Sequence, residues 1–362
     1  MDRPSLSAPD LLRRGLPPVA IALFALFVAL AVGASAAAGT LGFDFLAYHA
    51  AASRVLGGGP LYDMSFAETG GFGLFYYPPT FGPLVLPFGL LSEMVAVWSW
   101  TALLVVAFLL GIAVLPVPVT VRWVILLLGA LSWPVAYAIK LGQVGPILFL
   151  LFAIGWRWMG SPTAVGLSGA LGAAIKIQPG IVLAWAVLVG RWRAVVVGAV
   201  ALGVLAGLGT AFGGIGVWAD FLTLVVRVSD PIGTDHNVTP GAVAYQLGIP
   251  HGVAASIQLV NIGLAAFLVV VAARRATPAA GYLIAVVASQ LVSPILWEHY
   301  AMLLLLPVAW LLERRVWWAS LVPLATPTLL LPIIPPVAYP VTFWVVLLIV
   351  LVLGLRGRVA EA

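Results

Sequence analysis

The chain has no cysteine in its 362 residues, which removes disulfides and thiolate chemistry from any account of it. Charge is scarce as well. Asp, Glu, Lys and Arg make up 8% of the residues, against roughly 25% in a soluble domain, too few to cover a water-facing surface. Also missing is the alternation over about ten residues that marks a membrane barrel strand. The apolar runs are continuous instead, as from Val19 to Ala38 and from Phe343 to Leu355.

What is present is 63% hydrophobic residues and a mean hydropathy of +1.15. Lipid is the solvent that tolerates so much apolar surface, and in lipid the continuous runs must satisfy their backbone polar groups internally, as helices. The abundant Ala, Val and Gly suit close helix packing in a bilayer, and equally fit the codon bias of a GC-rich genome. The sequence therefore predicts an all-α polytopic membrane protein, a single integral membrane domain over 1–362 with about twelve spans. We place these near 17–38, 94–115, 122–139, 144–159, 163–176, 178–190, 194–213, 251–273, 277–296, 298–312, 316–334 and 338–355. Several fall short of the ~20 residues needed to cross a bilayer straight, and must pack within the bundle or stop at a cavity.

On this map Arg3, Arg13, Arg14, Arg122, Arg157, Arg191, Arg193, Arg274, Arg275, Arg314, Arg315, Arg356 and Arg358 share one side, and only Arg54, Lys140, Lys176 and Arg227 share the other. Thirteen against four puts both termini in the cytoplasm by the positive-inside rule. The first span also has features of a signal peptide, with Arg13-Arg14 before it and Ala34-Ser35-Ala36 after it. Its apolar stretch exceeds the usual 7–15 residues, which favours an uncleaved anchor.

Two outer loops are long, 39–93 and 214–250, while the loops between spans on the cytoplasmic side are only a few residues each. All four histidines (His49, His236, His251, His299) fall at or near the outer face, together with Asp44, Asp63, Glu68, Glu93, Asp220, Asp230, Asp235 and Glu298. Function is expected there. From Gly42 to Arg54 the apolar residues recur at helical spacing, which predicts an interfacial helix closed by Gly57-Gly58-Gly59-Pro60. Asp44 either caps that helix or serves chemistry. Phe75 to Phe81, and the short apolar stretch to Leu91, predict a re-entrant or surface-dipping helix. Its aromatics form an interfacial belt or line an entrance for a lipid chain. Lys140 and Lys176 stand at outer turns, where a recessed lysine calls for an anionic partner unless it snorkels. Asp235-His236 is too small a group for a metal site, and the sequon Asn237-Val238-Thr239 recurs by chance. Glu298-His299 beside Trp297 forms the last polar island.

These pieces, taken in order, resemble glycosyltransferase family 87, formerly a domain of unknown function. The resemblance lies in Asp44-Phe45 with Tyr48, Ala51, Leu56, Gly58 and Pro60-Leu61-Tyr62, then Tyr77-Pro78-Pro79, Gly142-Gln143, Lys176 with Pro179, and Ser293-Pro294 with Trp297-Glu298-His299. It covers roughly residues 40–310. It implies a GT-C fold with interfacial helices in the first outer loop, and a bacterial plasma-membrane enzyme with an extracytoplasmic active site. Such an enzyme moves a sugar, typically mannose, from a polyprenyl-phosphate carrier to a lipid-linked or glycan acceptor. The family pattern makes Asp44 the catalytic residue. Lys176, Lys140 and His299 are then expected at the donor phosphate, and Tyr48, His49, Tyr77, Gln143, Asn237 and Glu298 at the sugar or acceptor. His49 and Tyr300 depart from the family pattern, and Asn237-Val238-Thr239 matches it only loosely. A single in-line displacement would invert the anomer. No metal or other cofactor is expected, and the partners are the carrier, the acceptor and membrane lipids, with no nucleic acid. The rival readings are a twelve-span secondary transporter, disfavoured by the one-sided polar groups and the lack of a repeat, and another GT-C enzyme such as a glycan polymerase or ligase.

Overall fold

A computed structural model describes residues 8–63, 65, 74–228, 230–325 and 335–361. Arg3, Glu68 and residues 326–334 of the expected span 316–334 lie outside the described residues, as do the side chains of Arg13 and Arg227. Among the described residues there are helices and no strand.

Five helices are long and apolar enough to cross a membrane unaided. They lie within α1 (Ala8–Ala37), α4 (Glu93–Val114), α10 (Trp192–Gly213), α13 (His251–Arg275) and α16 (Ala338–Glu361). The other expected spans are shorter helices: α5 (Val119–Leu131), α6 (Trp133–Leu141), α7 (Gly145–Arg157), α8 (Pro162–Ile175), α9 (Ile181–Leu188), α14 (Pro278–Leu291) and α15 (Leu305–Glu313). Of these, α14 and α15 are the most enclosed: every residue from Ala280 to Leu291 is buried, as is every residue from Leu305 to Leu312. Helices this apolar all round belong inside a bundle rather than at its rim. With several apolar helices and little charge, the chain is an integral membrane protein.

Three spans are drawn differently from the sequence reading. The stretch 122–139 is not one helix. It breaks at Ser132, because Pro134 in the next helix has no N–H to continue the ladder of the last one. The following pair, α6 and α7, meets at 116° across Gly142-Gln143. Gly142 sits in the left-handed region at φ 77°, and its N–H bonds back into α6, ending it as a glycine C-cap does. Expected span 298–312 begins as a 3-10 helix, Glu298–Leu304, before α15, and 317–325 is also 3-10.

The corner at Gly142 is the hub of one end of the molecule. The Gly42 N–H donates to the Lys140 carbonyl at 2.8 Å, and the Trp100 indole donates to the Gly142 carbonyl at 2.8 Å. A Cβ on Gly142 would lie 2.6 Å from that of Phe45, so only glycine both turns the chain here and lets α2 (Phe43–Leu56) approach. The expected interfacial helix is thus present as α2. The apolar stretch after it forms 3-10 turns at Pro79–Phe81 and Leu86–Leu90 around α3 (Gly82–Val85), and it lies on α2 so closely that a Cβ on Gly89 would meet the Ala52 backbone at 2.8 Å.

The loop aromatics are neither a membrane belt nor an entrance lining. Tyr48, Phe75, Tyr77 and Phe81 are buried in edge and offset contacts with one another, and Phe45 stacks on Trp100 at 5.0 Å. They form the core that supports α2. Only Tyr76 among them is exposed.

The second long outer stretch holds two further helices, α11 (Val217–Val228) and α12 (Pro240–Gln246). Val217, Phe221 and Leu224 are its buried face, and that i, i+4, i+7 spacing is the sequence signal for α11.

Candidate active site

Asp44 lies in the first turn of α2 but does not cap it. Gly42, with φ 74°, occupies the cap position and the helix has no side-chain cap. The Asp44 carboxylate instead accepts a hydrogen bond from Gln143 Nε2 at 2.5 Å. Gln143 is the residue just past the Gly142 corner, so the sharp bend between α6 and α7 delivers it there. The other end of its amide accepts from the Tyr77 hydroxyl at 3.1 Å, and Tyr77 in turn meets the Tyr48 hydroxyl at 2.5 Å. The chain Asp44–Gln143–Tyr77–Tyr48 is continuous, and Tyr62 ties it to the loop by donating to the Tyr77 carbonyl at 2.7 Å.

Burial pushes the Asp44 carboxyl above the ordinary aspartate value, while the Gln143 hydrogen bond and the nearby Lys176 charge pull it back down. Desolvation wins. The result is a carboxylate of strengthened basicity held by one strong donor, Gln143.

Lys176 follows the last residue of α8 and stands at a turn, as the sequence reading expected. Its Nζ donates to the Tyr300 hydroxyl, and lies 4.0 Å from the Tyr300 ring centroid and 5.5 Å from that of Tyr77. Its turn is braced by Thr80, which donates to the Ala174 carbonyl at 2.8 Å, and by Gln178, which donates to Ser293 at 3.2 Å. His299 is 2% exposed, and neither ring nitrogen has a partner. Buried polar atoms are nearly always paired, so the unpartnered imidazole within charge reach of Lys176 is a candidate ligand contact. Tyr300 and Tyr137 flank it, with ring centroids 4.6 and 6.1 Å away.

The structure therefore assembles Asp44, Gln143, Tyr77, Tyr48, Lys176 and His299 at one end of the bundle, and Glu298 stands beside them. Lys140 is set slightly apart, over the rings of Trp133 and Tyr137 at 5.7 and 5.3 Å. Tyr48 and Tyr77 are buried within the network and hold Gln143 in place. His49 points away and hydrogen-bonds the Leu91 carbonyl at 3.1 Å.

Asn237 is occupied by the backbone. Its Nδ2 donates to the carbonyls of Pro231 and Pro294 at 2.6 and 3.1 Å, and its Oδ1 accepts from the N–H groups of Thr239 and Leu296 at 3.0 and 2.9 Å. It staples the second outer stretch to the turn carrying Glu298 and His299. Asn237→Ala should lower folding stability by on the order of 1–3 kcal/mol, seen as a lower melting midpoint in detergent. An unchanged midpoint would show that these bonds do not hold the two segments together.

The opposite end of the molecule is basic. Arg122 is close enough to Arg157 to feel its charge, and Arg358 donates to the Arg274 carbonyl at 2.9 Å. Tyr137, Tyr300, Trp100 and Tyr339 join the site end without having been singled out as site residues. The i, i+4 pair Trp133 and Tyr137 on α6, which carries Lys140 in its last turn, was the available sign. Among the described residues no three His, Asp or Glu groups converge as metal ligands do.

Comparison with known proteins places the chain in a family. The family described as Glycosyltransferase family 87 matches residues 75–294, well over half of the chain. The match begins after Asp44 and ends before Glu298, so the placement of those two residues rests on the structure. The chain is also 29% identical over 293 residues to the polyprenol-phosphate-mannose-dependent alpha-(1-2)-phosphatidylinositol pentamannoside mannosyltransferase of Mycolicibacterium smegmatis, covering 75% of this chain and 69% of that protein. No solved structure matches. The chain belongs to glycosyltransferase family 87.

Proposed function

We propose that the chain is an inverting hexosyltransferase that moves mannose from a polyprenyl-phosphate carrier to a lipid-linked or glycan acceptor. The observation that carries this reading is the juxtaposition of a half-buried, hydrogen-bonded Asp44 with the Lys176–Tyr300 pair and the unpartnered His299. The name of the Mycolicibacterium relative supports the donor class. The bundle then corresponds to a GT-C fold of about twelve spans, several of them short helices held inside.

The reaction needs a base at the acceptor and positive charge at the leaving group. Asp44 takes the acceptor hydroxyl's proton as that oxygen attacks the anomeric carbon. The new C–O bond forms as the bond between the anomeric carbon and the phosphate oxygen breaks, and the electron pair leaves with polyprenyl phosphate. Lys176 stabilises the charge gathering on that phosphate, with Lys140 and His299 lining its approach. The leaving group carries one phosphate, and a lysine suffices to neutralise its developing charge without a metal ion.

With a β-linked carrier the product should be the α-mannoside, which NMR of the purified glycolipid would check. A β-linked product would exclude a single displacement. Excess EDTA should leave the initial rate unchanged, and loss of activity restored by a divalent ion would overturn the metal-free account.

The arginine distribution supports a site on the extracytoplasmic face, with both termini in the cytoplasm of a bacterial cell. The absence of native cysteine makes this simple to check. A Pro294→Cys variant in intact cells should react with a membrane-impermeant maleimide, and an Arg315→Cys variant should react only after the membrane is opened. The reverse pattern would invert the topology.

A further inference from the structure

Beyond the Asp44–Lys176 centre lies a second group of polar side chains whose hydrogen-bonding capacity is unmet. Glu298 is half-buried at the start of its 3-10 helix, and among the described residues no hydrogen bond or ion pair holds its carboxylate, which feels only the charge of His236. Tyr137, half-buried on α6, lies within electrostatic reach of both Asp44 and Glu298. Tyr339, near the start of α16, is 1% exposed, its hydroxyl has no partner, and it lies within reach of Glu298 and Tyr137.

The 3-10 helix that carries Glu298 packs against both α6 and α16, so one carboxylate and two hydroxyls from three elements converge, and among the described residues none of the three has a hydrogen-bond partner in the protein. A buried hydroxyl left unpaired is costly. A purely apolar neighbour would not relieve that cost, and a phosphate would be repelled by Glu298. A ligand rich in hydroxyls relieves it, because each hydroxyl both donates to a carboxylate and accepts from a tyrosine. Position sharpens the assignment. Tyr137 lies within electrostatic reach of Asp44, the proposed base, whereas Lys176 is engaged by Tyr300 and Tyr77.

The backbone around the group is built to hold it still. His236 adopts the left-handed region, with φ 59°, which a non-glycine residue seldom occupies. Its neighbour Asn237 fastens it to the turn that carries Glu298. Tyr137 is backed by the stacked Trp133 ring at 5.2 Å and 14°.

We propose that Glu298, Tyr137 and Tyr339 form the acceptor-sugar subsite, which receives a neutral hexose ring of the acceptor and presents one of its hydroxyls to Asp44. Glu298 accepts from hydroxyls of that ring, and the two tyrosines donate to its oxygens. This rests on the transferase reading above and adds to it which side chains choose the acceptor.

The test uses purified full-length protein, polyprenyl-phosphate-mannose as donor and n-octyl α-mannoside as acceptor. Glu298→Gln, Tyr137→Phe and Tyr339→Phe should each raise the acceptor KM by about tenfold, the size of one lost hydrogen bond of ~1.4 kcal/mol, while the donor KM stays within twofold. Tyr339→Phe removes a single oxygen from a buried ring, so its melting midpoint should not fall. Equilibrium binding of radiolabelled octyl α-mannoside without donor should weaken in parallel. If the wild-type protein transfers mannose and all three variants keep the wild-type acceptor KM, the subsite assignment is overturned. A rise in donor KM instead would place these residues at the carrier and also overturn it. A wild-type protein that transfers nothing to any acceptor, yet binds octyl α-mannoside in a way that Tyr339→Phe weakens, would sink the transferase reading and leave the sugar site standing.

Discussion

Asp44→Asn should reduce sugar transfer by on the order of 10²–10⁴-fold, the range for loss of a general base, while donor binding changes little. The substitution keeps the size of the side chain and an oxygen able to accept from Gln143, so it removes basicity without emptying the site. The wild-type pH profile carries the same information. Asp44 must be ionised to take a proton, and burial raises its pKa from the aspartate value of 3.8. Transfer should therefore fall as pH drops through a midpoint above 3.8. Gln143 and Lys176 both lower that pKa, so Gln143→Ala should move the acid limb to higher pH. An acid limb that stays in place in Gln143→Ala, or Asp44→Asn with near wild-type transfer, would remove Asp44 from the mechanism.

Lys176→Ala carries the second large effect. The ammonium is the cation of the centre closest to Asp44 in charge interaction, and it is aimed by Tyr300 and by the braced turn after α8. Loss of electrostatic stabilisation at a leaving group costs about 10²–10³-fold in kcat, and here should raise the donor KM as well. Lys176→Arg keeps the charge but brings a planar fork that does not fit between two tyrosine rings, so only partial activity should return. Steady-state rates at varied donor concentration separate the two effects. Unchanged kcat and donor KM in Lys176→Ala would exclude a phosphate contact there.

Much of this architecture was legible in the sequence because membrane solvation constrains it so tightly. Continuous apolar runs have to be helices, and the arginines divide the two ends without any knowledge of packing. Lys176 and His299 stood out as candidates for a related reason, since recessed polar groups in an apolar chain are conspicuous, whereas Asp44 was singled out only through the family resemblance. Legibility failed where local geometry depends on packing between distant segments. Nothing in Lys140-Leu141-Gly142-Gln143 reveals a 116° corner, because a glycine ends a helix without fixing the direction of the next one. The fate of Asn237 was equally hidden. Its four backbone partners come from two segments far apart in sequence, so its polarity looked like a site residue when it is a staple. The loop aromatics misled through composition, because an exposed belt and a buried ring cluster use the same residues. Tyr137 and Tyr339 were missed for the opposite reason, as tyrosines are ordinary in apolar helices until one is seen to lack a partner.

The central claim is that this site uses a lipid-borne donor. Purified protein in detergent, given extracted membrane lipids as acceptors, should transfer labelled mannose from polyprenyl-phosphate-mannose and none from a nucleotide-linked mannose. Label that stays with the polyprenyl carrier, or that moves equally well from the nucleotide sugar, would contradict it.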